Sequence, residues 1–226
     1  MDYGKTLHLP ETEFPMRGNL PKREPDMLAF WTENKIYEKR LEKRKGCKKF
    51  ILHDGPPYAN GKLHIGHALN KVLKDIILKY KTQTGHYTKY IPGWHTHGLP
   101  IEHDVIKATG LNRHEIAPLD LRAKCREYAL ENVEMQKKDF IRFGVLGDWE
   151  HPYLTLQKPV EVAQIGVFGE MAKKGYIYKG LKTVYWCPHC ETALADAEIE
   201  YKDDKSVSLD VRDPAHDLGN DKGSHM

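Results

Sequence analysis

Two histidines at the start of a predicted helix are the residues of this sequence best placed to do chemistry. They stand in the run His64-Ile-Gly-His67, which follows a turn rich in glycine and proline at residues 54–61. A buried strand is predicted at residues 50–52, and an amphipathic helix is predicted from Gly66. Unpaired N–H groups and the helix dipole attract anions at such a helix start. We therefore predict a phosphate site at Gly66, with hydrogen-bond donors from His64 and His67.

Alternating strands and helices are expected to position this site. A helix is predicted from Asp26 through about residue 45, and Gly85 is expected to lie just past the end of the helix that starts at Gly66. Further strands are predicted at residues 87–91, 176–178, 183–186 and 207–211, and further helices at 100–107, 119–143 and from Pro159. The strand–helix–strand order favours a parallel, right-handed crossover. The expected fold class is therefore α/β.

The composition bounds the class of protein. The 226 residues are 40% hydrophobic and 30% charged, with a formal net charge of +3, which is too small to indicate a nucleic-acid partner by itself. No apolar run has membrane-spanning length, and the N-terminus lacks the apolar segment of a signal peptide. We expect a soluble, cytoplasmic protein with no membrane partner.

A pair of cysteines in the run Cys187-Pro-His-Cys190 is the second candidate for chemistry. Two thiolates at this spacing form half of a tetrahedral zinc site, which normally has four ligands. The sequence has no second pair of this kind, since Cys47 and Cys125 stand alone. A redox role is the alternative, although a redox C-x-x-C normally opens a helix after a strand. The spacing alone leaves both hypotheses open.

Three blocks of the sequence resemble the isoleucine–tRNA ligase family of class I aminoacyl-tRNA synthetases. They read Asp-Gly-Pro-Pro-Tyr-Ala-Asn-Gly at residues 54–61, His-Ile-Gly-His-Ala-Leu-Asn at 64–70 and Gly-Trp-His-Thr-His-Gly-Leu-Pro-Ile-Glu at 93–102. The order and spacing of the three blocks make the resemblance far more specific than a lone H-x-x-H. The resemblance runs from residue 1 to about residue 213 and covers the N-terminal part of a much longer enzyme.

The resemblance implies an activity and a set of ligands. It implies that isoleucine is activated with ATP and Mg, and that the acyl group then passes to tRNA(Ile). It makes His64 and His67 the catalytic residues, as electrostatic stabilisers of the phosphate, and adds Gly66 to the ATP-binding residues. The resemblance also implies that Gly55, Pro56 and His95 stand at the positions that bind the amino acid. It also favours zinc, as a half-site, for Cys187 and Cys190.

The resemblance further implies a domain organisation, namely the first half of a Rossmann-like parallel sheet with helices on both faces and an N-terminal arm. The expected segments are an arm and helix at 1–48, the first half of the catalytic domain at 49–186, a zinc-knuckle half and connector at 187–202, the start of an editing domain at 203–222 and a vector-derived remnant at 223–226. A chain that ends there is expected to be inactive alone and to associate with a complementary C-terminal fragment or with itself.

Two departures from the family pattern matter for activity. His95 stands where the family has an aspartate that holds the substrate ammonium group, and the family's Lys-Met-Ser-Lys-Ser loop does not occur in the sequence. An alternative hypothesis is therefore a truncated, catalytically dead paralogue that acts as a binding or regulatory module. A third, remote hypothesis is a metal hydrolase that uses several histidines, although no H-E-x-x-H motif is present. Those histidines are His53, His64, His67, His95 and His97.

Overall fold

The computed structural model of the chain describes residues 3–8, 18–110, 112, 114–203, 205 and 207–208. The chain divides into two compact units, Met1–Tyr178 and Lys179–Met226. In the described part of the chain, no helix is both long enough and apolar enough to cross a bilayer.

Helices make up most of the first unit. They are α1 (Leu20–Glu33), α2 (Ile36–Lys43), α3 (Ile65–Gln83), α4 (Leu99–Thr109), α5 (Pro118–Arg142) and α6 (Lys158–Lys173), preceded by a short 3-10 helix at Tyr3–Thr6. Prolines stand in the first turns of α1, α4, α5 and α6, where a missing N–H costs no helical hydrogen bond. Gly85 follows α3 with φ at 94°, as predicted for a left-handed residue past a helix end.

The N-terminal helical region differs from its prediction. The single helix expected from Asp26 is two helices, because Lys35 adopts a left-handed conformation with φ at 50° between α1 and α2. The first of them begins at Leu20, six residues before Asp26, after Asn19 in the same left-handed region. Neither residue is a glycine, so the sequence pattern gave little sign of these breaks.

Parallel strand pairing is present in the first unit, as the α/β prediction requires, but the strands are short. Strand β1 (Gly93–Trp94) pairs in parallel with β2 (Tyr153–Leu154). Two isolated parallel bridges, Lys49 with Tyr87 and Tyr58 with His95, extend the same kind of pairing. The strands predicted at 50–52 and 87–91 are therefore wrong as continuous strands. Ile51, at the centre of the strand predicted at 50–52, is 80% exposed and therefore not buried as that prediction required.

The core of the first unit lies around Trp94. The ring of Trp94 packs at 6.3 Å from Phe140 of α5 and 6.1 Å from Trp149, so β1 is held against α5 and the segment before β2. The buried hydrophobic residues around them are Ala59, Leu78, Tyr90, Ile101, Ala129, Val133, Val145, Leu154 and Leu156. This core fixes β1, and with it the residues that follow Trp94.

Helix α3 packs with its polar face inward. Its buried residues are Lys71, Asp75, Leu78 and Thr82. The predicted apolar stripe is instead exposed, and it consists of Leu69, Val72, Leu73, Ile76, Ile77 and Tyr80. An amphipathic helix normally buries its apolar face. Here α3 instead turns Lys71 and Lys74 toward the buried carboxylate of Asp54, so these charge pairs orient the helix within this chain.

The second unit contains a small hairpin. Strand β3 (Trp186–Cys187) pairs antiparallel with β4 (Thr192–Ala193), and a 3-10 helix follows at Asp196–Glu198. The strands predicted at 176–178 and 183–186 are wrong apart from Trp186, since the other residues are not paired as strands. Of the strand predicted at 207–211, residues 209–211 lie outside the described residues, as do residues 209–226 of the expected editing-domain start and remnant.

Candidate functional site

The first turn of α3 is closed by two histidines that bond to the backbone. His64 is the N-cap, with extended φ and ψ of −114° and 172°, and its Nδ1 accepts a hydrogen bond from the N–H of Gly66 at 3.1 Å. In return the Nδ1 of His67 accepts from the N–H of His64 at 3.3 Å. The two imidazoles thus take the parts that Ser or Thr and Glu take in a capping box.

These bonds decide which ring nitrogens face outward as donors. A neutral imidazole has one N–H, and an Nδ1 that accepts a hydrogen bond leaves the proton on Nε2. His64 and His67 therefore each keep an Nε2–H free of these backbone bonds, and their ring centroids lie 3.9 Å apart. Burial, together with the nearby positive charges of His64 and Lys71, lowers the pKa of His67, so its ring is neutral at pH 7. The helix start thus combines two imidazole donors with the positive end of the helix dipole.

Gly66 gives the His64 ring its place. A Cβ at position 66 would lie 2.9 Å from Cε1 and 3.0 Å from Nδ1 of His64, closer than such atoms approach one another. The sequence predicted Gly66 as part of a phosphate site. The structure adds a reason for glycine there, since the missing side chain lets the His64 ring lie against its own helix start.

The turn at residues 54–61 is fixed at both ends. Asp54, only 1% exposed, accepts hydrogen bonds from Lys71 and Lys74 of α3, the latter at 2.8 Å. At the other end, the amide of Gln136 in α5 donates to the carbonyls of residues 58, 60 and 61, at 3.2, 3.3 and 3.0 Å. Between these anchors Gly55 is exposed and Pro56 half-buried.

His95 lies beside the same turn. Its backbone N–H donates to the carbonyl of Pro57 at 2.8 Å, and its carbonyl accepts from the N–H of Ala59 at 2.9 Å. Its ring stacks on Tyr58 with centroids 4.5 Å apart, and its Nδ1 accepts from the N–H of His97 at 3.3 Å. Burial, and then the neighbouring charge of His97, lowers the pKa of His95. At neutral pH this position therefore presents an Nε2–H donor.

The other two histidines of the hydrolase hypothesis, His53 and His97, have separate partners. His53 stacks on Tyr153 at 5.8 Å, and the Nε2 of His97 lies 3.4 Å from Glu161. Among the described residues no group of three His, Cys, Asp or Glu side chains is placed to hold a metal ion. The hypothesis of a histidine-rich metal hydrolase therefore gains no support from this part of the chain.

Cys187 and Cys190 come together at the hairpin of the second unit. The Sγ of Cys187 accepts a hydrogen bond from the N–H of Cys190 at 3.3 Å, and hydrogen bonds from Cys190 lower the pKa of the Cys187 thiol. A thiolate that accepts backbone N–H bonds suits a metal ligand. The pair fits half of a four-ligand zinc site, and the described residues bring no third ligand to it.

Sequence reasoning missed Asp54, Lys71, Lys74 and Gln136 as parts of this site. The two lysines stand three residues apart on α3, on a face that the helical pattern assigned to solvent. The available signal for these contacts was the pair of lysines on one face of α3 together with the aspartate at the start of the preceding turn. Periodicity reads only apolar residues, so it could not assign that face to the interior.

Comparison with known proteins agrees with the motifs. An isoleucine--tRNA ligase from Caldicellulosiruptor saccharolyticus is 64% identical over 212 residues, and one from Moorella thermoacetica is 62% identical over 217. These alignments cover 94% and 96% of this chain but 23% of each relative, so the chain spans about a quarter of their length. The resemblance to isoleucine–tRNA ligases is confirmed, whereas a separate complementary fragment gains no support.

The fold and the family follow from two further matches. A LeuRS from Agrobacterium radiobacter K84, solved as a ternary complex with tRNA and LeuAMS, superposes with a TM-score of 0.61 over 80% of this chain and 21% of that one. At 24% identity this likeness shows the fold, which supports the partial Rossmann-like assignment. The family model of class I tRNA synthetases (I, L, M and V) matches residues 26–211. Because this match spans most of the sequence, the chain belongs to the class I tRNA synthetases of that group.

Proposed function

We propose that this chain forms the part of an isoleucine–tRNA ligase that holds ATP and isoleucine. The observation that carries the proposal is the helix start at His64, where two imidazole Nε2–H donors accompany the dipole of α3. The chain's relatives are named isoleucine--tRNA ligases, which supplies the reaction class. Activity of the whole enzyme, transfer to tRNA(Ile) and a place in the cytoplasm belong to the same proposal.

In the proposed reaction the protein contributes positioning and charge. An oxygen of the isoleucine carboxylate attacks the α-phosphorus of ATP, and the bond from that phosphorus to the bridging oxygen breaks to release pyrophosphate. Negative charge grows on the phosphate oxygens, and preorganised donors stabilise it more than water does. His64 and His67 supply those donors through Nε2–H, while Gly66 keeps the His64 ring in place. No covalent intermediate with a side chain is needed.

Magnesium enters with the nucleotide in this proposal. Mg²⁺ keeps several waters and binds mainly through substrate phosphates, with one or two carboxylates at most. We assign it no side-chain ligand, because the described residues bring together no acidic cluster. When bound, the ion would neutralise phosphate charge that the two imidazole donors alone leave uncompensated.

The amino acid is placed at the turn that Asp54 opens. We propose that Gly55 and Pro56 form one wall and that His95, stacked on Tyr58, lies at the ammonium end of the substrate. An Nε2–H donor offers no acceptor to an ammonium group. The proposed site therefore binds isoleucine weakly, and this favours a second candidate function, a binding module without catalysis.

The domain borders and the zinc site are part of the same proposal. We propose the arm at 1–48, the catalytic segment at 49–186, the connector at 187–202 and the editing-domain start at 203–222. Cys187 and Cys190 would supply two of four zinc ligands, since their hairpin already donates N–H bonds to one sulfur.

Nucleotide binding by the chain itself tests the proposal. Isothermal titration with ATP and Mg²⁺ should show binding that disappears when His64→Ser and His67→Ala are combined. Serine keeps an N-cap acceptor for the backbone of α3, and neither serine nor alanine reaches the places of the two imidazole Nε2–H donors. His151→Ala is the matched control, because His151 is an exposed histidine whose partner is Asp148. Equal binding by the wild type and the double variant would refute the phosphate site.

Binding of a non-hydrolysable isoleucyl-adenylate analogue separates the two candidate functions. A ligase half-site should prefer this analogue to ATP alone, because the analogue also fills the amino-acid part. A binding module without an isoleucine pocket should bind ATP and the analogue equally well.

A further inference from the structure

A buried cluster of opposite charges lies directly behind the candidate site. The side chains of Asp54 and Lys71 are 0% and 3% exposed, and that of Lys74 is 17% exposed. Both lysines donate to the carboxylate of Asp54, and Lys71 also donates to the hydroxyl of Tyr90 at 3.2 Å. Lys71 further lies over the ring of Phe140, at 5.0 Å from its centroid. Such a cluster costs desolvation energy, so its position in the molecule needs a reason.

The cluster joins parts of the chain that are far apart in sequence. The Asp54 carboxylate binds α3 through Lys71 and Lys74, and it also accepts from the N–H of Gly93 in β1 at 3.2 Å. The backbone carbonyl of Asp54 accepts from the hydroxyl of Tyr153 in β2 at 2.6 Å. One residue thus connects the turn, the helix and both parallel strands.

Each connection ends close to a residue proposed to touch a ligand. Asp54 immediately precedes Gly55, and Gly93 stands two residues before His95. Lys71 stands four residues after His67, which is about one helical turn along α3. The Asp54 carboxylate therefore bonds to β1, which leads to the proposed amino-acid site, and to α3, whose start forms the proposed phosphate site.

We infer that Asp54 is a positioning residue that sets the distance between the turn carrying Gly55 and the helix start carrying His64. The inference rests on the proposed function, since it concerns the two ligands assigned there. Asp54 itself is buried, and the proposed function assigns it to neither ligand. It acts through the backbone of the turn, through β1 and through α3.

The charge state of the cluster suits this role. Burial by itself raises the pKa of Asp54, but the charges and hydrogen bonds of Lys71 and Lys74 outweigh it and hold the pKa below its usual value. The carboxylate is then ionised throughout the neutral range, and its bonds to lysine are charge-assisted. A fully bonded buried network is rigid, whereas a partly bonded one is not. The spacing it sets should therefore be constant under physiological conditions.

A ligand that spans both parts of the site reports on their spacing, and a ligand that fills one part does not. Binding across two subsites depends on holding both in register, and a displacement of about 1 Å can cost on the order of 100-fold in a reaction rate. ATP alone occupies the helix start, whereas an isoleucyl-adenylate analogue occupies both. The two affinities therefore separate a positioning role from a general role in stability.

The experiment compares the wild-type chain with Asp54→Asn by isothermal titration, using ATP with Mg²⁺ and the non-hydrolysable analogue as the two probes. We expect Asp54→Asn to lose more affinity for the analogue than for ATP, with a difference of up to about 100-fold. Hydrogen exchange at the N–H of Gly93 should become faster in the same variant. Analogue affinity that falls only as much as ATP affinity would overturn the inference.

Two further variants keep the test decisive. Lys74→Met removes one bond to Asp54 from the cluster's partly exposed edge, because methionine has no donor. It should show the same selective loss to a smaller degree if Asp54→Asn does not fold. Asp75→Asn is the matched control, since this buried carboxylate of α3 bonds Lys79 and the N–H of Leu146 and does not touch the turn. It should lower stability without a selective loss of the analogue.

The outcomes distinguish this inference from the proposed function. If the wild type binds neither probe, the proposed function fails and this inference fails with it. If the wild type binds the analogue more tightly than ATP and Asp54→Asn does the same, only the inference fails. A selective loss in Asp75→Asn equal to that in Asp54→Asn would also overturn the inference. It would show that losing any buried carboxylate bonded to α3 has the same effect on analogue binding.

Discussion

At the scale of single residues, His95 is the side chain with the clearest consequence for ligand choice. Its Nδ1 is bonded to the N–H of His97 and its pKa is lowered, so it offers a neutral N–H donor at pH 7. We predict that His95→Asp increases affinity for the isoleucyl-adenylate analogue at least about tenfold, about 1.4 kcal/mol. A carboxylate gains a charge-assisted hydrogen bond with the ligand ammonium, which an N–H donor does not form. Isothermal titration at pH 7 measures the change.

His97→Asp is the control for that gain. It introduces the same carboxylate two residues away, on an exposed side chain that faces Glu161. We expect no gain in affinity from it, because water screens an exposed charge. A gain as large as that of His95→Asp would show that overall charge, and not the position of residue 95, controls binding.

Asp54 carries a second prediction at this scale, for stability against pH. Its pKa in the folded chain lies below the unfolded value of about 3.9, so the folded state releases the proton more readily. The stabilisation is therefore complete above the unfolded pKa and is lost as pH falls through the lower folded pKa. We predict that the difference in unfolding free energy between wild type and Asp54→Asn, from urea titrations, is constant near neutral pH and shrinks below about pH 4. A difference that stays constant into the acid range would contradict this ionisation.

At the scale of the element, the start of α3 depends on the missing Cβ of Gly66. In Gly66→Ala the new methyl group would press on the His64 ring, whose nearest atom lies 2.9 Å away. The ring can rotate, so we predict a folded variant whose nucleotide-induced thermal shift is reduced or lost. Alanine favours helix over glycine by about 1 kcal/mol, which offsets part of the lost cap. Differential scanning fluorimetry with and without ATP and Mg²⁺ measures both effects.

Gly169→Ala in α6 is the comparison for that variant. A Cβ at position 169 would meet no atom within 4 Å, so only the intrinsic gain in helix propensity should remain. We expect a small rise in melting temperature and an unchanged nucleotide shift. An equal loss of the shift in both variants would remove the special role of the His64 ring.

At the scale of the whole molecule, apolar helix faces are left open to solvent. The outer face of α3 carries the apolar stripe described above, and α6 exposes Val162, Ile165, Val167, Phe168 and Met171. Several of these α6 residues line a shallow cavity of about 430 Å³. Contiguous exposed apolar surface favours association. We predict that the chain self-associates and that replacing Ile76 and Phe168 by lysine weakens this association, as sedimentation velocity over a range of concentrations would show.

Lys81→Arg in α3 and Glu170→Lys in α6 are the controls. The first alters the shape of a side chain and the second alters charge on the same two helices, and neither removes apolar area. They should leave the association unchanged. A chain that remains monomeric at high concentration would show that the open faces of α3 and α6 do not pair with one another.

Local chemistry was readable from the sequence because it depends on near neighbours. The helix after His64, the glycine at residue 85 and the helix that Pro159 opens all follow from residues within one or two turns. The three motif blocks likewise led to the family that the comparisons confirm. The extended strands at 50–52 and 87–91 were overpredicted, since a strand exists only where a partner completes its ladder.

The orientation of α3 and the bonding around its start were decided by tertiary contacts. Periodicity found the apolar stripe of α3 but assumed that this face is buried, whereas the chain buries the face with Lys71 and Asp75. That face is determined by Asp54, which lies seventeen residues before Lys71 and is brought beneath the helix by folding. Likewise, His95 is identified by sequence, but its outward N–H follows from the bond between its Nδ1 and His97. Charge pairing across such distances is a property of the folded chain, because the partners meet only when the backbone brings them together.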